Sequence, residues 1–412
     1  MRVLITAVGQ RTEHWTDLFA VLARQPDLSA TVVVADVSPL TIAGLERCAS
    51  LSPRLRFHVL PHVMGEGRSG HMASILIHPL ALRRLDVDRP DVVHVIGEPA
   101  YLSTGQIVHW KRRRWPAVPL THYAAQNVVT RFPPPFPWLE QRAYTAVDHM
   151  LPITPAALNV LRRKGYRGSA TIIPLGVDTA LFTPAPPPPV RPFTVGFVGR
   201  LEVHKGIEDL VQATEKLDCE LVVVGRGSLD GLVRASASRR PGRVTMHDWV
   251  DHDRLPGLLA QMDALVLPST ELIQRNVLPW VGIPLREQFG RVLVEAMACG
   301  VPVVGSEMGE IPHVIGDAGL VFDPGDLVAL VEQLARLRDE PALARDLRSR
   351  GIERATRLFA WEQVASSMRE VWDGLCPGRP SGRPVAAEAM APDPVGAPEA
   401  AGVAGTPAWV DE

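Results

Sequence analysis

The chain has 412 residues, and its 43 Lys and Arg nearly balance its 45 Asp and Glu, which gives a formal net charge of −2. This length predicts two or three domains with a buried core in each, while the balanced charge gives no reason to expect a nucleic-acid partner. No apolar run reaches the ~18 residues of a membrane span, and the first residues enter a strand without a signal peptide. The four cysteines lack metal or disulfide spacing. We therefore expect a cytoplasmic protein.

The first half of the chain alternates short apolar runs with helical stretches. The runs predict these strands: Val3–Val8, Ala30–Ala35, Arg56–Leu60, Val92–Ile96, Val118–Tyr123, Met150–Thr154 and Thr171–Leu175. Thr154 followed by Pro155 is typical of a helix start, with the hydroxyl as the N-cap and proline in the first turn. The alternation favours a parallel sheet that is covered by helices on both faces.

Polar side chains stand where two of these strands end. Glu98 follows the strand at Val92–Ile96, and His122, Gln126 and Asn127 close the next strand, before a long Pro-rich loop. Polar groups at a strand end beside a long loop indicate a binding site.

A second unit of alternating strands and helices begins after a stiff, Pro-rich linker at residues 185–192. Its apolar runs predict further strands: Phe193–Val198, Glu220–Val224, Val244–Trp249, Ala264–Leu267, Pro302–Gly305 and Leu320–Phe322. We therefore predict an α/β fold with two Rossmann-like, doubly wound domains that face a central cleft. The predicted domains are residues 1–184 and 193–358, followed by an amphipathic helix at 359–376 and a disordered tail at 377–412.

Two basic side chains follow the first strand of the second unit. Arg200 and Lys205 lie at the carboxyl end of that strand, which is where doubly wound sheets bind ligands. Arginine suits bidentate contacts to phosphate and lysine supplies a compact charge, although both residues also suit a solvated loop. Gly225 and Gly227 end the next strand in a Gly-x-Gly turn, which either approaches a ligand or only makes a tight turn.

Two carboxylates, Glu287 and Glu295, bracket Gly290 and an apolar run. If one helix carries both, its rise of ~1.5 Å per residue separates them by about 12 Å, which exceeds the roughly 5–9.5 Å of a catalytic pair on one glycosidic bond. A helix N-terminus at Gly290 favours an anion between them. This arrangement suits a sugar, its diphosphate and a ribose, and the alternative is a surface helix with two solvated glutamates.

The segment that contains both carboxylates resembles the E-x7-E signature of the family 4 retaining glycosyltransferases, which have the two-domain GT-B fold. The resemblance implies that Glu287 binds hydroxyls of the donor sugar and that Glu295 binds the ribose. It places Phe289, Gly290 and Arg291 in the same donor-binding segment.

The resemblance extends to the rest of the donor site. It implies that Arg200 and Lys205 hold the diphosphate and that the loop with Gly225 and Gly227 lies beside the nucleotide. Gly9, after the first strand, is expected to let the backbone approach a phosphate, although its loop lacks the Gly-Gly pair of the family.

On the acceptor side, the segment around His122 resembles the stretch in which the family places a Glu, Gln or His facing the cleft. His122 is our candidate beside the transferred sugar or the acceptor hydroxyl, and the alternative is a strand histidine with a core partner. Gln126 and Asn127 are candidates to hydrogen-bond the acceptor. Glu98 either orients an acceptor hydroxyl or caps the following helix.

Three other segments bear on specificity. Trp249 and Val250 match the family context near the nucleobase. The insert at residues 270–286 is longer than usual in the family, and we expect an ordered loop at the cleft rim that influences acceptor choice. His313 stands where family members often carry Glu, which leaves its role open.

The implied activity is transfer, with retention of configuration, of a hexose-type sugar from a nucleotide-diphosphate donor to an acceptor hydroxyl. UDP is the expected nucleotide from its frequency in the family, and the acceptor is a small molecule, a saccharide or a lipid-linked group. The fixed cations are expected to make an obligatory metal or other cofactor unnecessary. The alternatives are a nucleotide-sugar epimerase of GT-B fold and a non-catalytic nucleotide-sugar-binding protein.

The sharpest basic run is Lys111 to Arg114. It suits a solvated helix end, and the alternative is weak, reversible attachment to anionic lipid or to an anionic acceptor. We therefore expect at most peripheral contact with the inner face of the membrane. The high content of Arg, Ala and Pro indicates a GC-rich bacterial genome.

Overall fold

The protein is seen in a computed structural model, which describes residues 1–64, 72–130, 132–186, 191–274 and 283–376. Its strands are β1 (Arg2–Val8), β2 (Ser29–Ala35), β3 (Leu55–Leu60), β4 (His62–Met64), β5 (Leu76–Ile77), β6 (Val92–Ile96), β7 (Leu120–Ala124), β8 (His149–Pro152), β9 (Ser169–Ala170), β10 (Thr194–Val198), β11 (Glu220–Val224), β12 (Val244–His247), β13 (Ala264–Leu267), β14 (Leu272–Gln274), β15 (Ile283–Leu285), β16 (Val303–Ser306) and β17 (Gly319–Phe322).

The α-helices lie between and after these strands. They are α1 (Thr16–Arg24), α2 (Pro39–Leu51), α3 (Pro79–Arg84), α4 (Leu102–Arg114), α5 (Phe136–Ala146), α6 (Pro155–Arg163), α7 (Ile207–Lys216), α8 (Asp230–Arg239), α9 (Leu255–Leu259), α10 (Arg291–Ala298), α11 (Ile311–Ile315), α12 (Leu327–Asp339), α13 (Pro341–Arg354) and α14 (Trp361–Leu375).

The first large sheet has the strand order β3-β2-β1-β6-β7-β8-β9, and every pairing in it is parallel. Successive side chains of a strand point to opposite faces, so Val3 and Ile5 of β1 enter one apolar core while Leu4 enters another on the opposite face. Burial on both faces explains why these strands read as nearly continuous apolar runs. We call this sheet and the helices packed on it the first domain.

The second large sheet has the order β12-β11-β10-β13-β16-β17, again with parallel pairings throughout. The strand order reverses between β10 and β13 in this sheet and between β1 and β6 in the first sheet. A doubly wound sheet leaves a ligand-binding crevice at such a point, beside the carboxyl ends of β10 and β1. We call this sheet and its helices the second domain. The predicted α/β fold of two doubly wound units is confirmed.

The seventh predicted strand differs from the structure. The paired residues are Ser169 and Ala170 rather than Thr171–Leu175. The chain beyond them continues beside β8, since the amides of Thr171 and Ile173 donate to the carbonyl oxygens of Met150 and Pro152.

The chain returns to the first domain at its last helix. Phe359 O accepts from Val177 N at 2.7 Å, and Trp361 N donates to Val177 O at 3.1 Å, so the return is fixed at the start of α14. The helix packs on α1, and the Trp372 indole donates to Thr121 Oγ1 of β7 at 3.2 Å. The domain boundaries assigned from the sequence stay a prediction.

The insert at 270–286 starts and ends as an antiparallel hairpin of β14 and β15. Arg286 Nε pairs with Glu271 Oε1 at 2.6 Å at the base of this hairpin. Residues 275–282, which include Trp280, and the tail predicted at 377–412 lie outside the described residues.

Candidate active site

Lys205 and Glu287 form an ion pair at the carboxyl end of β10. Lys205 ends a 3-10 turn, Val203–Lys205, and Glu287 lies in the loop between β15 and α10. The two side chains are 16% and 14% exposed, and Ser269 Oγ donates to the same carboxylate oxygen, Glu287 Oε2, at 3.2 Å. The structure thus brings together the predicted diphosphate-binding lysine and the predicted sugar-binding carboxylate.

The turn that carries Lys205 is held against the end of β13. Gly206 has a φ of 65°, and a Cβ on it would lie 1.9 Å from the carbonyl oxygen of Pro268. Thr270 N also donates to His204 O at 2.8 Å. Arg200, earlier in the same loop, is exposed to solvent.

The two predicted turn glycines are explained by a close contact between neighbouring loops. Gly225 has a φ of 140°, and a Cβ on it would lie 1.9 Å from Gly199 O, while one on Gly227 would lie 2.3 Å from Leu201 O. Their backbone therefore supports the loop that carries Arg200. Their approach to a ligand stays a prediction.

The assumption that one helix carries both carboxylates is wrong. Helix α10 begins at Arg291, because Gly290 before it has left-handed backbone angles, φ 77° and ψ 53°. Glu287 therefore lies in the preceding loop, and the spacing of about 12 Å derived from helical rise does not apply. Gly290 carries no side chain that could cap the helix, and Leu293 N already donates to Gly290 O at 2.9 Å. The anion site expected at this helix N-terminus stays a prediction.

Phe289 is buried, and its ring packs edge-on against Phe359 with the centroids 5.6 Å apart. Its side chain thus belongs to the core, and a contact with the donor would use its backbone.

Glu295 is buried on α10 between two basic side chains. Arg291 Nε lies 2.9 Å and His252 Nε2 lies 3.1 Å from Glu295 Oε1. Burial by itself raises the pKa of Glu295, but the Arg291 charge and the His252 hydrogen bond outweigh it and hold the pKa below its ordinary value. The predicted ribose-binding group is therefore a carboxylate, as an acceptor of ribose hydroxyl hydrogen bonds must be.

Arg291 also reaches the first domain. Its Nη2 lies 3.4 Å from Asp17 Oδ2 and its Nη1 lies 3.3 Å from His14 Nδ1. Both partners follow the loop that starts at Gly9. Gly9 has a φ of 96°, and its amide donates to Ala35 O at 3.0 Å. The predicted donor residues Gly9 and Arg291 thus belong to segments that meet across the cleft.

The predicted acceptor residues lie at the carboxyl edge of the first sheet. Glu98 Oε1 accepts from Ala125 N at 2.8 Å, and burial raises the pKa of Glu98 to about 7. Gln126 Oε1 accepts from Lys164 Nζ at 3.0 Å. Neither predicted role is tested by these contacts, but Glu98 binds a strand-end amide rather than capping a helix.

Asn127 reaches across the cleft. Its Nδ2 donates to the carbonyl oxygen of Glu287 at 2.7 Å. The side chain predicted to bind the acceptor thus contacts the main chain of the predicted sugar-binding residue.

His122 does not reach the cleft. It lies in the middle of β7 with 0% of its surface exposed, and its strand neighbours Val95 and Met150 belong to the apolar core on that face. Burial lowers the pKa of His122 to about 3, so the ring is neutral near pH 7. Its catalytic role stays a prediction. The ring lies in the strand core, but neither of its nitrogens has a hydrogen-bond partner among the described residues, so the core partner of the alternative is not seen either.

Three contacts in this region were not predicted from the sequence. Lys164 and Glu140 pair at 2.8 Å with side chains only 8% and 9% exposed. The Glu310 carboxyl accepts hydrogen bonds from the Thr154 hydroxyl and from Ala156 N, at the predicted start of α6. Only the Thr154-Pro155 pattern marked this area, because charged partners far apart in sequence leave no periodic pattern.

The basic run of α4 is largely used within the fold. Lys111 is buried and donates to Pro116 O at 3.4 Å, and Arg114 Nη1 donates to Leu85 O at 2.9 Å. The Arg114 guanidinium also lies over the Trp110 and Trp115 rings, 5.8 and 5.1 Å from their centroids. Fewer charges are therefore available to a membrane than the run suggests.

An open cavity of about 460 Å³ lies beside the end of β12, with Trp249, Val250, Asp251 and Arg254 in its lining. The segment expected near the nucleobase thus borders an open space. Within the part of the chain that the structure describes, no group of three or more His, Cys, Asp or Glu is placed to hold a metal ion. Among the same residues, no helix has the length and apolar character needed to cross a membrane.

Two family models match successive parts of the chain. Glycosyltransferase Family 4 matches residues 23–181, and Glycosyl transferases group 1 matches residues 182–354. Glycogen synthase of Mycobacterium tuberculosis is 31% identical over 212 residues, which are 49% of this chain and 48% of that protein. The chain therefore spans about half the length of this relative.

A longer match joins both halves of the chain. D-inositol 3-phosphate glycosyltransferase of Salinispora tropica is 28% identical over 393 residues, covering 83% of this chain and 77% of that protein. The solved structure of Anabaena HepE in complex with UDP-glucose superposes with a TM-score of 0.64 at 18% identity, covering 91% of this chain and 100% of that chain, and supports the fold alone. From the consecutive family matches and the shared two-sheet fold, we conclude that this chain belongs to the family 4 glycosyltransferases of GT-B fold.

Proposed function

We propose that the protein transfers a hexose-type sugar, with retention, from a UDP-sugar to a hydroxyl of an acceptor. The observation that carries the proposal is the ion pair of Lys205 with Glu287 at the carboxyl end of β10. A cation suited to a diphosphate and a carboxylate suited to sugar hydroxyls occupy one place, where a glycosyl diphosphate needs both.

The donor class has further support. The solved Anabaena protein was crystallised with UDP-glucose, and we extend that ligand class to this chain. The relative from Salinispora tropica is named for a phosphorylated inositol, which supports a hydroxylated small molecule as one acceptor class.

Donor binding would change the partners of the ion pair. The diphosphate would take Glu287's place on Lys205, and the carboxylate would then accept hydrogen bonds from the sugar. Arg200, exposed in the same loop, and the uncapped amides of α10 would supply further positive potential to the diphosphate.

The course of the reaction is taken from the resemblance to retaining members of the family. The acceptor oxygen forms a bond to the anomeric carbon, the bond from that carbon to the phosphate oxygen breaks, and the acceptor proton passes to the departing phosphate oxygen. Attack on the face that the diphosphate leaves retains the configuration. The groups around Lys205 stabilise negative charge that grows on the leaving group, and one such donor is worth about 3 kcal/mol in the barrier.

A thermal-shift screen of nucleotide sugars tests the proposal. A donor at 100 times its dissociation constant should stabilise the protein by about 2.7 kcal/mol. The stabilising donor is then incubated with hydroxyl acceptors, and proton NMR of the product should show the anomeric configuration of the donor. An isomerised donor formed without acceptor, or binding without turnover across a broad acceptor panel, would overturn the proposal.

A further inference from the structure

The carbonyl oxygen of Glu287 is the point at which the two domains meet beside the donor site. It accepts from Asn127 Nδ2 of the first domain at 2.7 Å and from Glu310 N of the second domain at 3.1 Å. Gly309 approaches so closely that a Cβ on it would lie 2.2 Å from this oxygen, and its φ is 60°. The Glu287 main chain is therefore fixed from both sides of the cleft.

On the first-domain side, the chain from Ala125 to Asn127 is held at each residue. Ala125 N donates to Glu98, Gln126 accepts from Lys164, and Asn127 donates to Glu287. Lys164 is itself paired with a buried Glu140, so the loop rests on side chains with little freedom. A rigid support of this kind allows one amide to set the position of a partner across a cleft.

The second donor to the Glu287 carbonyl is also tied to the first domain. Glu310 N donates to Glu287 O, and the Glu310 carboxyl group accepts from the Thr154 hydroxyl and from Ala156 N at the start of α6. Separation of the domains would thus break the Asn127 hydrogen bond to this carbonyl and would also release the carboxyl group of the residue that supplies the second hydrogen bond.

We propose that Asn127 is a positioning residue, which places the Glu287 carboxylate for the donor sugar only when the two domains are closed. This differs from the acceptor-binding role expected from the sequence, because one N–H donor of the Asn127 amide is used by a protein carbonyl across the cleft. The catalytic part of the proposal rests on the proposed function, whereas the closure part depends on the fold alone.

Asn127→Asp is the sharpest test, because it keeps the shape and sets a carboxylate against the Glu287 carbonyl. Asn159→Asp, at an exposed position of α6, is the matched control for the added charge. Transfer to acceptor and slow hydrolysis of the donor by water are measured in both variants. We expect Asn127→Asp to lower kcat of both reactions by about tenfold or more, since small misplacement of a catalytic group has such effects, and to leave the acceptor KM within about twofold of wild type.

An acceptor ligand would behave differently. A raised acceptor KM with unchanged donor hydrolysis would overturn the proposal, and so would wild-type values for every constant. Asn127→Ala, which removes the donor without adding charge, should show the same pattern more weakly and covers the case in which the aspartate variant does not fold.

Small-angle X-ray scattering of the ligand-free proteins tests closure without any donor. Asn127→Asp should have a larger radius of gyration than wild type and Asn159→Asp, and equal radii in all three would overturn the closure. If wild type neither binds nor turns over any nucleotide sugar, the proposed function fails, while the scattering still decides whether Asn127 holds the domains together.

Discussion

Lys205 and Glu287 satisfy each other in the ligand-free protein. Each would otherwise be a largely buried charge, and an unpaired charge in such a position is costly. The same pairing keeps both groups in place until a diphosphate and a sugar replace the partners. Removal of Lys205 should therefore weaken donor binding and also lower the stability of the protein, because it leaves the Glu287 carboxylate without its partner.

Lys205→Ala should reduce transfer by about a hundredfold, which corresponds to the roughly 3 kcal/mol of one stabilising group for the leaving diphosphate. Initial rates with saturating donor and acceptor measure the effect. Lys216→Ala, at an exposed position in the last turn of α7, should keep full activity. Unchanged turnover in a folded Lys205→Ala variant would contradict the assignment, whatever the change in its melting temperature.

We expect Glu310 to make the free energy of unfolding depend on pH. Burial raises its pKa to about 7, although hydrogen bonds from Thr154 and Ala156 act in the opposite direction. Because this pKa lies above that of an unfolded chain, the native state holds a proton that the unfolded state has released. The contribution of this proton to the free energy of unfolding is fully present below the pKa of the unfolded state, near pH 4–5. It is lost as the pH rises through about 7.

Glu310→Gln should therefore show a smaller fall in the free energy of unfolding than wild type between about pH 5 and pH 7.5. Urea titrations at several pH values measure the slope. Glu370→Gln, exposed on α14, serves as the control and should retain the wild-type slope. Parallel curves for wild type and Glu310→Gln would mean that Glu310 carries no extra proton in the native state.

At the scale of elements, the loops after β10 and β11 act as one support. The glycines at 225 and 227 allow the second loop to touch the backbone of the first, which carries Arg200 and Lys205. A substitution in the second loop is thus expected to change binding by the first.

Gly225→Ala should destabilise the protein by roughly 1–3 kcal/mol, because its φ is unfavourable for alanine and the new methyl group meets Gly199 O. Donor affinity should fall as well, because the Arg200 loop must move. Gly231→Ala in α8 is the matched control, since a Cβ there meets nothing within 4 Å. Chemical denaturation and donor titration test both effects, and equal behaviour of the two variants would refute the explanation.

The sequence predicted best the elements whose positions depend on neighbouring residues. Apolar runs located the buried strands, and Thr154 with Pro155 located the start of α6, because both depend on neighbouring residues. The helix at Glu287 was placed too early, since only the backbone angles of Gly290 reveal where α10 begins. Neither the Asn127 contact nor the interior position of His122 has a local cause, so periodicity could not predict them.

At the scale of the whole molecule, the contacts between domains gather around α10 and the loop before it. Arg291 pairs with Asp17, Asn127 donates to Glu287 O, and the Glu310 carboxyl accepts from Thr154. The proposed donor site would therefore be completed by the way the domains meet, with Arg200 and Lys205 as its fixed cations. We propose that these cations replace a divalent metal in charge stabilisation.

Transfer should accordingly continue in excess EDTA at a rate within about twofold of the untreated enzyme, since the cationic side chains stabilise the leaving diphosphate. Rates before and after chelation, with added Mn²⁺ or Mg²⁺ as a control, provide the measurement. Loss of activity that Mn²⁺ alone restores would show that the side chains do not suffice.

Helix α14 belongs to the last part of the chain but packs on the first domain. Trp361 lies beside Trp15, with ring centroids 5.9 Å apart, and the buried Trp372 bonds to Thr121 of β7. An excised N-terminal half would therefore expose the apolar furrow that these two tryptophans fill, and would be expected to self-associate. Supplying residues 361–375 as a separate peptide offers a way to cover that furrow, so the chain lends itself to complementation by its own last helix.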